Sequence, residues 1–172
     1  IAAEVARGAE SILADPSLDA FTRLNAFLRH SRRQKVAMAS RVRATFDTVF
    51  RQENVHLYHR THAAITAVIR PILARIIAEG VADRAFDTKD TEAAAAVIVQ
   101  LVVTTHDLVA ELLDPDGPAS AGEVVDRLAA RLDFLGTVID RILGIPEGSI
   151  RLAERDELEA IAGHLLAPAS AA

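Results

Sequence analysis

His56, His59 and His62 stand three residues apart in the segment HLYHRTH. On a helix each such step turns the chain by about 300°, so the three imidazoles fan over about 120° of the circumference. Neighbouring members could share a metal ion. Zinc and iron sites built on helices need three or four convergent ligands, and no carboxylate shares this face. A second metal-type pair, His106 and Asp107, has no accompanying ligand set. These residues therefore predict no metal and no cofactor. His62 lies on one stripe with Tyr58 and Ile65, where it is either a hydrogen-bonded core histidine or a polar anchor inside a cavity; a buried polar group needs a partner in both cases. Gln100 and Thr104, one helical turn apart, share a face with room for a ligand, unless Thr104 and Thr105 bond back to their own helix carbonyls. No G-x-S-x-G elbow, glycine-rich phosphate loop or H-E-x-x-H motif occurs, and no nucleophile–base pair is visible. The chain does not read as an enzyme.

The element that carries most of these groups spans Glu53 to Phe86. Val55, Tyr58, His62, Ile65, Ile69, Ile72 and Ile76 recur every three or four residues, the period of one long amphipathic helix. Pro71 falls inside the pattern and predicts a bend beside a cavity. Gly80 predicts a left-handed stop. Ahead of this helix, Ile1–Ala14 reads as the end of a helix, halted at Asp15-Pro16. The same pair predicts the next helix, with Asp15 as N-cap and Pro16 in the first position, running on Leu18, Phe21, Leu24, Asn25 and Leu28 to about Val36. Its basic end, Arg29 to Lys35, reads as a solvated face rather than a contact for an acidic neighbour or DNA phosphates. A further helix over about Ser40–Gln52 carries Val42, Phe46, Val49 and Phe50, with Met38 just before it. Beyond the central helix, Thr88 or Asp90 caps a helix over about Thr91–Leu113. The break at Asp114–Ser120 leads into a capping box, Ser120 to Glu123. The helix it opens is apolar around much of its circumference, so it must lie between other helices or against a second chain, and Gly144 ends it. A short helix over about Glu154–Leu166 and a frayed tail, residues 168–172, complete the chain.

Helices alone account for this pattern. Apolar residues make up 51% of the 172 and no period-two stretch is sustained, which predicts an all-α bundle of six to seven helices in one domain. No apolar run reaches the roughly 18 residues of a membrane span. Without cysteine, disulfides and thiolate chemistry are excluded, and the chain fits a reducing cytoplasm. A net charge of −5 argues against nucleic-acid binding by these residues themselves.

Four stretches carry a family resemblance: Ile12–Leu24 (ILADPSLDAFTRL), Arg51–Arg60 (RQENVHLYHR), Arg70–Val102 (RPILARIIAEGVADRAFDTKDTEAAAAVIVQLV) and Arg141–Leu152 (RILGIPEGSIRL). Together the chain resembles the C-terminal ligand-binding and dimerisation domain of TetR-family transcriptional repressors. The strongest piece is the helix–Gly–loop–Phe–Asp–helix segment around Gly80. The resemblance implies a homodimer through the last two long helices, a pocket around the bent central helix, and an N-terminal helix-turn-helix domain that binds operator DNA. Because the chain opens on Ile1, residues 1–14 are expected to be the end of the helix joining that missing domain to the ligand-binding domain, residues 15–167. The expected function is sensing of a small hydrophobic or aromatic effector, with DNA binding controlled allosterically. The expected pocket walls are Phe27, Met38, Phe46, Phe50, Tyr58, His62, Ile65, Thr66, Ile69, Leu101, Thr104 and Leu108. The expected dimer interface is Val124, Leu128, Leu132, Leu135, Ile139 and Ile142. His106-Asp107 also resembles the helical HD-type metal phosphohydrolases, which keeps a metal-dependent hydrolase as one alternative. A helical adaptor without ligand is the other.

Overall fold

The computed structural model describes the backbone of residues 2–37, 55–105, 108 and 120–166. Within them lie six helices and no strand: α1 (Ala2–Ala14), α2 (Ala20–Ala37), α3 (Val55–Ala82), α4 (Thr91–Val103), α5 (Ala121–Leu143) and α6 (Arg155–Leu166). The expected helix over 40–52 lies outside the described residues. The fold is all-α, as the periodicity predicts.

Asp15 does not cap α2. Its carboxylate accepts hydrogen bonds from the Ser17 backbone N–H (2.9 Å) and hydroxyl (2.6 Å), closing a local turn around Pro16. The helix starts four residues later than expected. Asp19 takes over the capping role and accepts from the Thr22 N–H at 2.6 Å. Side-chain and backbone hydrogen bonds from Ser17 hold the Asp15 carboxyl below its ordinary range, and the Thr22 N–H and hydroxyl do the same for Asp19.

Gly80 is not a stop either. α3 continues to Ala82, and the left-handed residue beyond it is Arg84, with φ of 60°. Gly80 serves close packing instead. A Cβ there would fall 2.1 Å from the Phe86 ring, and the Gly80 carbonyl accepts from the N–H groups of Ala85 (2.8 Å) and Phe86 (3.0 Å). The chain thus folds Phe86 back over α3, where it is buried. Pro71 is exposed on the outer face of α3, opposite the buried Leu73, Ile76 and Ile77. It stands on the side where a helix wrapped around a core is convex.

The remaining boundaries follow their local signals. Asp90 caps α4 by accepting from the Ala93 N–H, and Ser120 caps α5 by accepting from the Glu123 N–H. Gly144 ends α5 with φ of 66°, a conformation that favours glycine. α4 is shorter than expected, with its C-cap at Thr104.

The helices bury two apolar clusters. The larger joins Leu24 and Phe27 of α2, Leu73, Ile76 and Ile77 of α3, Ala95 and Ile98 of α4, and Leu135, Ile139 and Leu143 of α5. The smaller gathers Leu108, Val124, Val125 and Leu128 with Leu158 and Ala162 of α6. α5 serves both clusters, the first half facing α6 and the second half facing α3 and α4. That explains its broad apolar circumference within one chain. Burying each such Leu or Ile contributes about 1.5–3 kcal/mol relative to exposure.

Candidate functional site

The elements that would frame an effector site are held by two polar junctions. At the first, Arg23 near the start of α2 donates to Glu79 near the end of α3 (2.7 Å) and to the carbonyls of Asp15 (3.0 Å) and Leu18 (2.8 Å). Glu79 also accepts from Arg75 at 3.0 Å. One guanidinium therefore ties the turn after α1, the start of α2 and the end of α3 together. Its planar fork suits this task in a way a lysine ammonium would not.

Asp140 makes the second junction. It is fully buried on α5. Its Oδ2 accepts from the N–H groups of Gly148 (2.7 Å) and Ser149 (3.2 Å), and its Oδ1 from the Ile150 N–H (2.9 Å). Three charge-assisted bonds offset the cost of removing the carboxylate from water. The loop so gripped crosses α5 closely: a Cβ at Gly136 would lie 2.5 Å from the Ile150 carbonyl oxygen. The Asp87 N–H donates to the Leu143 carbonyl at 2.7 Å, which brings the loop after α3 to the same corner.

The sequence-derived pocket residues fall into separate groups. Phe27 is fully buried in the larger cluster, with Ile69 and Leu101 packed against it. Ile65 and Thr66 are half-buried on the first half of α3. Leu108 belongs to the smaller cluster. Thr104 donates its hydroxyl to the Leu101 carbonyl and Thr105 to the Val102 carbonyl, both at 2.6 Å. These bonds engage the hydroxyls within their own helix, where α4 ends, and Gln100 is exposed. Met38, Phe46 and Phe50 lie outside the described residues, as do the side chains of Tyr58 and His62, whose backbone is part of α3. His56 is exposed, and among the described residues no three His, Asp or Glu side chains group as metal ligands. His106 and Asp107 lie outside the described residues.

The expected interface residues of α5 are placed mostly inward. Val124, Leu128, Leu135 and Ile139 are buried in the chain's own clusters, and Leu132 and Ile142 are half-buried against them. These side chains hold the protomer together. Among the described residues the exposed large apolar groups are different ones: Phe134 on α5, 62% exposed, and Val97 on α4, 49% exposed. Phe134 borders an open groove of about 340 Å³ with Leu108, Arg127, Ala130 and Arg131. A second groove of about 420 Å³ runs between Asp133 and Thr137 of α5 and the stretch Glu147–Glu154.

Three groups escaped the sequence reading. Asp140 was hidden because its partners lie eight to ten residues downstream in a loop. His30 and Ser31 were absorbed in the basic run Arg29–Lys35, read as solvated. Arg29 is exposed, but His30 and Ser31 are half-buried, and His30 Nε2 and Ser31 Oγ are shielded from solvent. Extending the stripe Leu24, Phe27, Leu28 by one more step would have reached Ser31.

The chain belongs to the tetracyclin repressor-like C-terminal domain family, whose profile matches residues 20–125, from the first residue of α2 into α5. Domains of this family are regulatory. No curated protein and no solved structure matches the chain. No described helix is long and apolar enough to cross a membrane.

Proposed function

We propose that this domain is the effector-sensing and dimerising half of a TetR-like transcriptional regulator. The family match over residues 20–125 carries the reading. A small hydrophobic or aromatic molecule enters between α2 and α3, beside the half-buried Ile65, Val68 and Ile69, whereas farther along α3 Leu73, Ile76 and Ile77 are buried. The effector favours one arrangement of the helices over another. α1 passes the change to a helix-turn-helix domain outside these residues, so effector and operator affinities are linked, each altering the other by the same factor. Two copies associate through the outer faces of α4 and α5, around Val97 and Phe134, and the regulator works in the cytoplasm.

Thermal-shift screening of the chain against small apolar and aromatic compounds, with native-cell extracts included, tests the proposal. A ligand at a hundred times its Kd raises stability by about 2.7 kcal/mol. A compound that stabilises the domain and weakens operator binding by the whole regulator is the expected result. Absence of any stabilising compound would favour a ligand-free adaptor.

A further inference from the structure

The exposed Phe134 stands on α5 between two grooves of opposite charge. One is lined by Phe134 itself with Leu108, Ala130, Arg127 and Arg131, and it carries no carboxylate among the described residues. The other is lined by three carboxylates, Asp133, Glu147 and Glu154, against one cation, Arg151. At about 100° per residue, Arg131 is turned about 60° to one side of Phe134 and Asp133 about 100° to the other. Both are exposed. Their neighbours are engaged within the chain: Arg127 has a partner there, and Glu147 pairs with Arg141 at 3.5 Å. Among the described residues Arg131 and Asp133 have no ion-pair partner.

A lone surface charge is ordinary. A cation and an anion on opposite flanks of one exposed ring form a self-complementary pattern, because in a two-fold contact residue i meets j while j meets i. The ring is the kind of aromatic anchor around which protein contacts are built. The pattern also discriminates between orientations. A two-fold axis running along α5 sets the two helices parallel and brings the Arg131 flank of each copy against the Asp133 flank of the other. An axis running across α5 sets them antiparallel, with Arg131 near its own counterpart and Asp133 near its own. In the parallel arrangement the two charges of a pair differ by two residues along the axis, about 3 Å, which an arginine side chain spans.

Resting on the dimeric reading above, we infer that the occupant of this face is a second copy of the chain with its α5 parallel, and that two Arg131–Asp133 pairs, one on each side of the packed Phe134 rings, select that orientation. The pairs act by discrimination. Matched charges at the edge of a contact add little over their hydration, whereas like charges set together weaken it strongly.

Reversing the charge on each flank tests this. Arg131→Glu and Asp133→Arg are made singly in the 172-residue chain, and analytical ultracentrifugation reads the association of the parent, of each variant and of an equimolar mixture of the two. Each variant alone meets two like-charge contacts, so its dimer Kd rises by about a hundredfold, roughly tenfold per contact. The mixture forms a heterodimer within about tenfold of the parent, since one contact is then native and the other has both signs reversed. Both positions are exposed, so each variant keeps the helical circular dichroism of the parent, and lost association is not lost fold. A variant that dimerises as tightly as the parent, or a mixture that stays monomeric, overturns the charge pairing and leaves the dimer standing. A parent chain that is monomeric at micromolar concentration overturns the dimer itself.

Discussion

Asp140 shows how much one side chain can organise. Its carboxylate is the acceptor shown for the Gly148 and Ile150 N–H groups, and it shares the Ser149 N–H with the Pro146 carbonyl. Asp140→Ala strands the Gly148 and Ile150 donors in a partly buried corner, weakens the hold on Ser149 and opens a small void. Each stranded donor costs about 1–3 kcal/mol, so a total loss of about 3–5 kcal/mol is expected. For a chain of this size each kcal/mol lowers Tm by about 2–4 °C. Thermal unfolding should therefore show a drop on the order of 10 °C. A change within 2 °C of the parent, roughly the effect of an ordinary surface substitution, would mean that the loop finds other acceptors.

At the scale of elements, what was legible in the sequence was local. Asp90, Ser120 and Gly144 mark helix ends through atoms no more than four residues away, and the structure uses all three as expected. Gly80 was misread because its role depends on where Phe86 returns, and a glycine that stops a helix looks the same in sequence as one that admits a ring. The distinction is testable. In a left-handed stop, alanine would cost about 1 kcal/mol through the backbone alone. Here Gly80→Ala drives a methyl into a buried ring and costs about 1–3 kcal/mol by overpacking, and trimming the ring in Gly80→Ala/Phe86→Leu recovers part of the loss. Denaturant unfolding of the single and double variants measures it. Additive losses would show that the contact does not matter. The site was less legible than the fold for a related reason. Thr104 and Gln100 share a helical face, but the hydroxyl bonds its own helix. His30 and Ser31 sat in a run of charges whose composition masked the one face that turns inward.

At the scale of the whole molecule, the apolar positions of α5 split between two tasks. Val124, Leu128, Leu135 and Ile139 build the protomer, which leaves Phe134 and Val97 as the large apolar groups turned outward among the described residues. Phe134→Glu should therefore leave the melting temperature of the protomer within about 0.5 kcal/mol of the parent, the usual range for a surface change. It should also shift the proposed dimer toward monomer, because a glutamate at the centre of an apolar contact is buried without a partner. Light scattering at micromolar concentration distinguishes the outcomes, and an unchanged dimer would move the interface elsewhere. Asp140 has a last consequence at this scale. Apolar side chains accept many neighbours, so leucines and isoleucines alone would let α5 settle at more than one rotation against α3 and α4. A carboxylate with three fixed donors has one address. Sliding α5 by a single residue would turn it by about 100° and strand it, whereas the leucines beside it would find new company. The group that is dearest to bury is thus the one that tells α5 which of its possible alignments is the native one.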